Sequence, residues 1–322
     1  MTGMSTPSLR PARVDSRAAA LADRVVEALD RIIVGKTAQL RLCVACLLAR
    51  GHLLIDDLPG VGKTTLAHAL AKALGLEYQR VQFTSDLLPA DVIGVSVFNR
   101  ETGRFEFHKG PLFSQVVLAD EINRATPKAQ SALLEAMEER QVTADGETYS
   151  LPRPFFVIGT RNPSHQIGTF PLPESQLDRF LMRIELGYPG PDEERQLLAG
   201  GDRRRLVDEL EPVLSVDALL RLQELVPEMH LAEPILDYVQ ALIAHTRTSG
   251  EFVTGLSPRA GIALVRAAQA WALMAGHEGV HPEDVQAVFP AIVAHRLEPA
   301  AGRAFDTHGS LGSAILDAVP LP

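Results

Sequence analysis

The apolar residues of the chain follow two patterns that alternate along it. Three short runs, at 53–55, 116–119 and 155–158, are apolar without alternation, which is typical of strands buried on both faces of a parallel sheet. A weaker run covers 182–186, and helical periodicity, clearest at 127–139, fills the stretches between the runs. Repetition of strand and helix predicts a doubly wound α/β layer with a mostly parallel sheet.

Two segments interrupt this rhythm and predict hairpins. Residues 92–98 and 105–108 flank a polar turn, and Val142 and Tyr149 flank Asp145-Gly146. Asp-Gly between extended segments is a strong hairpin signal. We therefore expect both segments to decorate the α/β layer as insertions rather than to join its sheet.

The strand patterns end near residue 189, within Tyr188-Pro189-Gly190-Pro191. A helical stretch at 17–50, broken near Gly35, precedes the first strand. Helical periodicity resumes after the break and predicts helices at about 191–199, 216–225, 233–247, 258–275 and 282–295. We therefore expect a disordered tail at 1–16, an α/β core at 17–189 and a small all-helical lid domain at 190–322.

Composition limits the function without naming it. The chain has 322 residues, of which 46% are hydrophobic and 22% charged, with a net charge of −9; these values are ordinary for a soluble globular protein. The acidic balance disfavours nucleic acid as the main ligand, because binding its backbone needs clustered Lys and Arg. No apolar run reaches the roughly 18 residues of a membrane span, and no signal-peptide core follows the N-terminal arginines. We expect a cytoplasmic protein without membrane insertion.

The two cysteines, Cys43 and Cys46, form a C-x-x-C pair inside an aliphatic stretch. Such a pair indicates redox chemistry or half of a zinc site in some proteins. No second pair completes a site of four thiolates, and a helical reading places both side chains among aliphatic residues. A structural role in the core is the favoured interpretation.

The strongest chemical signal is a glycine-rich turn between the apolar run at 53–55 and a helical stretch at 66–74. It reads Asp57-Leu58-Pro59-Gly60-Val61-Gly62-Lys63-Thr64-Thr65. A strand before it and a helix after it are the required context for a P-loop, although a simple strand-to-helix turn is the alternative. The glycines expose backbone N–H groups to phosphate, while the lysine reaches the β- and γ-phosphates and Thr64 ligates Mg²⁺. We predict that Pro59 through Thr65 bind ATP.

A carboxylate pair, Asp120-Glu121, follows the apolar run at 116–119. Open α/β sheets bind ligands at the carboxyl ends of their strands, so this pair is expected near the P-loop. We predict that Asp120 holds Mg²⁺ and that Glu121 orients and deprotonates the attacking water. Two adjacent carboxylates repel one another when both are ionised, which favours a cation nearby.

Three further residues are candidates whose ordinary alternatives stay open. Asn162 follows the run at 155–158 and is placed to hydrogen-bond a γ-phosphate, or it simply ends a strand. Arg179 is either a solvated helix-end residue or an arginine finger supplied to a neighbouring subunit. Arg259 lies in the first turn of a helix capped by Ser257 and Pro258, where a cation opposes the helix dipole unless an anion is bound.

Together these motifs make the chain similar to the MoxR family of AAA+ ATPases. The resemblance runs from about residue 30 to 297. Its most specific stretches are Leu118-Ala119-Asp120-Glu121-Ile122-Asn123-Arg124-Ala125, the continuation 130–142, Phe83-Thr84-Ser85-Asp86-Leu87-Leu88-Pro89, Gly168-Thr169-Phe170-Pro171-Leu172-Pro173-Glu174 and His295-Arg296-Leu297. Asp57 matches the family's own P-loop variant, whereas Arg161 stands where Gln is common and His277 where Arg is common.

The resemblance implies an AAA+ core with a helical lid, in which residues 91–109 form the helix-2 insert. By role, it implies Walker A at Lys63 and Thr64, Walker B at Asp120 and Glu121, sensor 1 at Asn162, an arginine finger at Arg179 and sensor 2 at Arg259. It also implies chaperone-like help in maturing or assembling an unknown protein client, often beside a von Willebrand A-domain partner.

The resemblance also implies a mechanism. We expect ATP to lie between core and lid at a subunit boundary, with Arg259 coupling the lid to the phosphate state. Arg179 is expected to reach the neighbour's γ-phosphate, so that hydrolysis needs a self-assembled ring, expected to be a hexamer. Three rivals remain open: an AAA+ nucleic-acid motor or loader, a chelatase-type subunit for metal insertion, and a nucleotide-sensing scaffold without catalysis.

Overall fold

The computed structural model describes residues 16–162, 169–200, 203–301 and 308–321. Except for Ser16, which begins the first helix, the predicted N-terminal tail lies outside these ranges, and so does Gly168. Within them the chain forms an α/β layer followed by helices, and the predicted fold class is confirmed.

The elements are numbered in chain order. The strands are β1 (Leu53–Asp56), β2 (Tyr78–Gln82), β3 (Gly94–Asn99), β4 (Arg104–Lys109), β5 (Val116–Asp120), β6 (Gln141–Ala144), β7 (Glu147–Ser150), β8 (Phe156–Arg161) and β9 (Met182–Ile184). The helices are α1 (Ser16–Asp30), α2 (Thr37–Leu48), α3 (Lys63–Ala73), α4 (Pro89–Ile93), α5 (Pro127–Glu139), α6 (Glu174–Leu177), α7 (Pro191–Ala199), α8 (Arg203–Asp208), α9 (Val216–Leu225), α10 (Glu233–Thr248), α11 (Pro258–Ala275), α12 (Pro282–Val293) and α13 (His308–Ala318).

The central sheet has five parallel strands in the order β2-β5-β8-β1-β9. Every residue of β5 is buried, as is every residue of β1, which explains why these strands read as unbroken apolar runs. Parallel register places the carboxyl ends of the strands at one edge, where Gln82 pairs with Asp120 and Asp56 with Arg161. This edge gathers polar side chains from four different strands.

Strand β2 was not expected from the sequence. It lies at the edge of the sheet, and only Val81 among its residues is buried, so it lacks the apolar run that marked its neighbours. The two hairpins are present as predicted, since β3 pairs with β4 and β6 with β7 in separate antiparallel ribbons. Neither ribbon joins the central sheet.

The sheet packs between two apolar cores. One core lies against α5 and includes Val117, Phe83 and Leu133. The other is continuous from α1, α2 and α3 through the sheet to α11 and α12, and α12 also contacts β9. The helices that follow residue 190 are therefore packed directly on the α/β layer, because one apolar core serves both.

Cys43 and Cys46 lie in this larger core, fully buried and with free thiols. Burial raises the pKa of the Cys43 thiol to about 12, which leaves it without the thiolate character that redox or metal chemistry needs. The structural interpretation of the pair is confirmed.

The C-terminal helices match the sequence pattern closely. Helix α11 begins as predicted, because the Ser257 hydroxyl accepts a hydrogen bond from the Ala260 N–H at 3.1 Å. It ends at Gly276, whose φ of 75° is left-handed, and the following His277 ring hydrogen-bonds Asp284 at 3.0 Å. Helix α8, rich in arginine, and the glycine-containing α13 were not predicted because neither shows clear apolar periodicity. None of the helices in the described ranges is both long and apolar enough to cross a membrane.

Candidate functional site

The carboxyl-terminal edge of the sheet holds a cavity of about 300 Å³, called here the P-loop cavity. Nine of the predicted site residues line it: Pro59, Gly60, Gly62, Lys63, Thr64, Thr65, Asp120, Glu121 and Asn162. They come from the turn after β1 and from the ends of β5 and β8. Val61 is the exception within the turn, because its side chain packs against the larger core instead.

The P-loop turn depends on two glycines for its backbone conformation. Gly60 and Gly62 have φ values of 86° and 99°, a region that residues with a Cβ rarely adopt. A Cβ built on either would meet no atom within 4 Å. The glycines are therefore required by the conformation of the turn, and the space beside them is open to a ligand.

Asp57 anchors the start of the turn, which explains why glycine is not needed there. Its Oδ2 accepts hydrogen bonds from the N–H groups of Leu186 and Gly187, each at 2.6 Å, and its Oδ1 accepts from the Leu58 N–H at 2.7 Å. A carboxylate that accepts several backbone N–H groups makes strong, charge-assisted bonds. Asp57 thus ties the P-loop to the segment that follows β9.

Lys63 points its ammonium into a ring of oxygen acceptors. Its Nζ donates to the carbonyls of Asp57 and Leu58 and, at 3.0 Å, to the side-chain oxygen of Asn162. Burial lowers the pKa of Lys63, while the nearby carboxylates, Asp57 first among them, act in the opposite direction. Backbone carbonyls of the P-loop segment therefore hold the lysine side chain in position.

Asp120 is placed by two neighbours that the sequence did not reveal. The Thr160 hydroxyl donates to its Oδ1 at 2.6 Å, and the Arg80 guanidinium donates to its Oδ2 at 2.7 Å and 3.1 Å. Thr160 is fully buried and also accepts a hydrogen bond from the Glu121 N–H at 2.8 Å. This hydroxyl fixes both carboxylate-bearing residues to the adjacent strand.

Glu121 occupies a strained backbone position. Its φ of 55° and ψ of 49° lie in the left-handed region. This conformation is uncommon for residues other than glycine, and such strained positions cluster at functional sites. Its carboxylate accepts hydrogen bonds from Asn162 at 2.7 Å, Gln82 at 3.0 Å and Arg124 at 3.0 Å. Lys63, Asn162 and Glu121 therefore form one continuous row, in which the Asn162 amide bridges the cation and the carboxylate.

Arg161 is a position where the sequence departs from the family pattern. It lies beside this row and takes part in a partly buried ion-pair network. Its guanidinium pairs with Asp56, which also pairs with Arg183 at 2.9 Å. Asp56 ends β1 and precedes the P-loop directly. The arginine therefore supports the strand from which the P-loop starts.

The residues of the P-loop cavity fit a magnesium nucleotide. The Thr64 hydroxyl and the two adjacent carboxylates are hard oxygen donors of the kind that Mg²⁺ prefers. The open space above Gly60 and Gly62 and the helix that starts at Lys63 suit a phosphate, because a helix N-terminus and free backbone N–H groups favour anions.

Arg179 and Arg259 lie in a different cavity, of about 250 Å³, called here the arginine cavity. Besides these two it is lined by four other arginines and two carboxylates: Arg50, Arg140, Arg266, Arg296, Glu138 and Asp178. None of its lining residues is among those of the P-loop cavity. Arg179 and Arg259 both pair with Glu138, the latter at 2.5 Å.

Arg259, predicted to contact the nucleotide phosphate, does not line the P-loop cavity of its own protomer. Helix α11 starts beside the turn that carries Asp178, to which Ser257 donates a hydrogen bond at 3.3 Å. That placement directs the Arg259 guanidinium to Glu138 at the end of α5. Arg259 therefore shares a carboxylate with Arg179 rather than a cavity with Lys63.

Arg296 fastens the end of α12 to the same turn. Its guanidinium donates to the Asp178 carboxylate at 2.6 Å and to the carbonyls of Phe180 and Leu181 at 2.7 Å and 3.0 Å. The neighbouring His295 ring hydrogen-bonds the Phe180 carbonyl at 2.9 Å. The His295-Arg296 pair thus clamps the C-terminal helices to the segment that bears Arg179.

Four site residues escaped the sequence analysis: Arg80, Gln82, Thr160 and Glu138. Arg80 and Gln82 belong to β2, whose polar, exposed pattern gave no strand signal. Thr160 lies within β8, and a single hydroxyl near the end of an apolar strand gave no functional signal. The parallel register of the strands brings β2 and β8 residues to the site, because it sets Gln82 opposite Asp120 and Ala119 opposite Gly159.

Two protein-family models match the parts of the chain that carry most residues of these cavities. The model of the ATPase family associated with various cellular activities (AAA) matches residues 52–182, a range that holds all the residues of the P-loop cavity. The AAA lid domain model matches residues 244–314, which include Arg259 and Arg296.

Several relatives match most of the chain. The uncharacterized protein YeaC of Bacillus subtilis is 46% identical over 277 residues, covering 86% of this chain and 87% of that protein. Chaperone MoxR1 of Mycobacterium tuberculosis is 39% identical, covering 85% and 75% respectively. A crystal structure from Cytophaga hutchinsonii, provisionally described as an ATPase, is 33% identical with a TM-score of 0.84, covering 95% of this chain and 96% of that one.

Proposed function

The chain belongs to the MoxR family of AAA+ ATPases, and from that premise we propose that it binds ATP with magnesium in the P-loop cavity and hydrolyses it. One observation carries this proposal. A lysine, an adjacent carboxylate pair and a bridging amide, all buried or partly buried, line one cavity at the strand ends. This is the equipment that phosphoryl transfer needs, because its catalysis consists mainly of positioning and charge stabilisation.

The phosphate is gripped by the P-loop and Lys63. Three acceptors hold the ammonium, and one of them is the Asn162 side chain. A γ-phosphate oxygen takes the place of that acceptor, so that the Asn162 amide is free to contact the phosphate instead. The asparagine thereby links the state of the nucleotide to Glu121, which it already hydrogen-bonds.

Glu121 serves as the general base toward the attacking water, and Asp120 with Thr64 holds the metal. Bound magnesium supplies positive charge that neutralises the phosphate oxygens during transfer. The strained backbone of Glu121 and the hydrogen bond from its N–H to the Thr160 hydroxyl fix the position from which its side chain extends. Arg80 and Asp120 form an ion pair, so the Arg80 guanidinium would compete with a metal ion for the Asp120 carboxylate.

In this proposal hydrolysis requires a second protomer, because two of the predicted site arginines lie outside the P-loop cavity of their own chain. Arg179 and Arg259 line a cavity that shares no residue with the P-loop cavity, so we assign both to the phosphate of a neighbour. A head-to-tail contact of this kind generates a closed ring when the rotation closes, and we propose a hexamer. An arginine supplied across the interface contributes on the order of 10³–10⁵ in rate.

The cellular role we propose is chaperone-like help in the maturation or assembly of a protein client, alongside a von Willebrand A-domain partner. The name of the relative Chaperone MoxR1 supports this assignment. The β3–β4 hairpin supplies a contact surface, since its Phe98 and Phe105 are 50% and 72% exposed. We also propose that the core ends near residue 189 and that the lid follows it, in line with the lid match at 244–314.

The test of hydrolysis at this site is Glu121→Gln. The amide keeps the size of the side chain and one acceptor oxygen but cannot accept a proton, so kcat is expected to fall by about 10²–10⁴ while ATP binding persists. Turnover is measured as phosphate release and binding with a fluorescent ATP analogue. The exposed Glu135→Gln is the matched control and keeps wild-type turnover. Full activity in Glu121→Gln means that the base lies elsewhere.

A further inference from the structure

One carboxylate connects the two arginines of the arginine cavity. Glu138 Oε1 accepts from the Arg259 Nη2 at 2.5 Å, and its Oε2 accepts from the Arg179 Nη1. Arg179 is additionally held by the Leu134 carbonyl at 3.1 Å. The three residues come from α5, from the turn after α6 and from the start of α11, so this contact closes the space between three elements.

The surrounding charges leave Glu138 as the main counter-ion of this pair. Six arginines and only two carboxylates line the cavity. The other carboxylate, Asp178, is already bound by Arg296 at 2.6 Å and by Ser257. Burial and the positive charge of Arg50 and Arg266 lower the pKa of Arg140, which is the response expected where cations are in excess.

The contact has the geometry of anion recognition. Guanidinium groups bind carboxylate and phosphate oxygens through the same planar donors, so the two Glu138 oxygens occupy the position that two phosphate oxygens would take between these arginines. Arg179 also has a donor to spare, because its buried Nε has no hydrogen-bond partner within the described part of the chain. A phosphate, which has more acceptor oxygens than a carboxylate, is able to engage that donor as well.

We propose that Glu138 is a positioning residue that substitutes for the neighbour's phosphate. In the free protomer it holds Arg179 and Arg259 side by side, and on assembly it surrenders them to the nucleotide of the adjacent subunit. This inference rests on the proposed function, since it assigns both arginines to a phosphate supplied across the interface. The exchange is feasible because the Glu138 side chain is 34% exposed, and partly exposed ion pairs are weak.

Glu138 could either compete with the neighbour's phosphate or only support the fold, and these two roles predict opposite effects of removing its charge. Glu138→Gln keeps the shape of the side chain but weakens both ion pairs, so the arginines become easier to transfer. We expect the KM for ATP, and the protein concentration that gives half-maximal turnover, to fall about threefold to tenfold, since each exposed pair contributes a small interaction energy. The kcat is expected to stay within about twofold because the neighbour's arginines are unchanged.

The controls separate this proposal from its premise. Glu139→Gln removes a neighbouring exposed carboxylate and leaves both concentrations as in wild type. Glu138→Gln added to Arg179→Ala/Arg259→Ala has no further effect, because its targets are gone. Thermal unfolding of each variant verifies that the fold is kept.

The results that overturn the proposal are equally specific. If Glu138→Gln leaves both half-saturating concentrations unchanged or raises them, Glu138 is a support and not a substitute for phosphate. If Arg179→Ala/Arg259→Ala itself turns over ATP at the wild-type rate, the assignment of the arginines to the neighbour has failed instead.

Discussion

The P-loop cavity and the arginine cavity differ in how their charges are balanced. In the P-loop cavity every catalytic group has partners from the same protomer: Lys63 is held by loop oxygens, and Asp120 pairs with Arg80. In the arginine cavity six guanidinium groups share two carboxylates. In the proposed mechanism the P-loop cavity receives phosphate, and the arginine cavity, where cations exceed carboxylates, supplies positive charge to a neighbour. The proposed unit of function is therefore a pair of protomers.

Mixing two inactive variants tests this division with the largest expected effect. Lys63→Ala damages only the receptor half and Arg179→Ala only the cationic half, so each alone is expected to lose roughly 10³-fold or more in turnover. Combined, they form interfaces in which an intact P-loop cavity meets an intact arginine cavity. Phosphate release by the mixture is therefore expected to exceed the sum of the two separate variants many times over.

The control for this mixture is a pairing that cannot complement. Arg179→Ala mixed with Arg259→Ala tests whether recovery requires the halves to be different, since both variants are defective in the same cavity. Failure of the Lys63→Ala and Arg179→Ala mixture to recover, while size-exclusion chromatography shows that they co-assemble, rules out a shared site.

Acid should destabilise the arginine side through His52, which lines that cavity. Its Nδ1 accepts from the Val157 N–H at 3.0 Å, and its Nε2 lies 3.2 Å from the Met137 carbonyl. Burial lowers the pKa of His52 to about 4, so the unfolded chain binds a proton before the folded one does. The stability that this neutral histidine contributes is complete above about pH 6.5 and is lost as pH falls toward 4, by about 3 kcal/mol in total.

Urea unfolding between pH 7.5 and pH 4.5 measures this loss. His52→Asn keeps an acceptor near the Nδ1 position without titrating, so its free energy of unfolding is expected to change less with pH than that of the wild type. The buried His295, whose pKa burial also lowers, remains in both proteins and cancels in the comparison. Identical pH slopes for the two proteins would assign the acid sensitivity to another group.

On the P-loop side, Asp57→Asn should give the smallest of these effects. Asparagine offers one acceptor oxygen in place of two and no charge, so the bonds to Leu58, Leu186 and Gly187 weaken together. The KM for ATP is expected to rise about tenfold through a less ordered P-loop, as charge-assisted hydrogen bonds are worth a few kcal/mol at most. Asp145→Asn, in the exposed β6–β7 turn, is the matched control, and an unchanged KM in Asp57→Asn would make the anchor dispensable.

Much of the α/β layer was predictable because its buried strands are unbroken apolar runs in the sequence. The runs that became β1, β5 and β8 are buried on both faces, and Asp145-Gly146 defines a hairpin by its turn chemistry. The glycine-rich turn and the carboxylates after β5 followed from the same logic, since strand ends meet at one edge of a parallel sheet. For these residues the local sequence pattern and the position in the folded sheet agree.

The remainder depends on contacts that no local pattern records. Arg80 lies on an edge strand with one buried residue, so neither this strand nor the pairing of Arg80 with Asp120 could be predicted from the sequence. Glu138 and Arg259 lie 121 positions apart in sequence, and only the packing of α11 against the turn after α6 brings them together. For that reason the sequence predicts a phosphate contact for Arg259 but gives no sign of its pairing with Glu138.

The grip of Arg296 on the turn at 178–181 has a mechanical consequence. Because this side chain joins the end of α12 to the backbone on either side of Phe180, and a single apolar core runs underneath, we expect the C-terminal helices and the turn at 178–181 to move as one body. In the proposed mechanism, a displacement at the far end of those helices then changes the position of Arg179 at the subunit boundary.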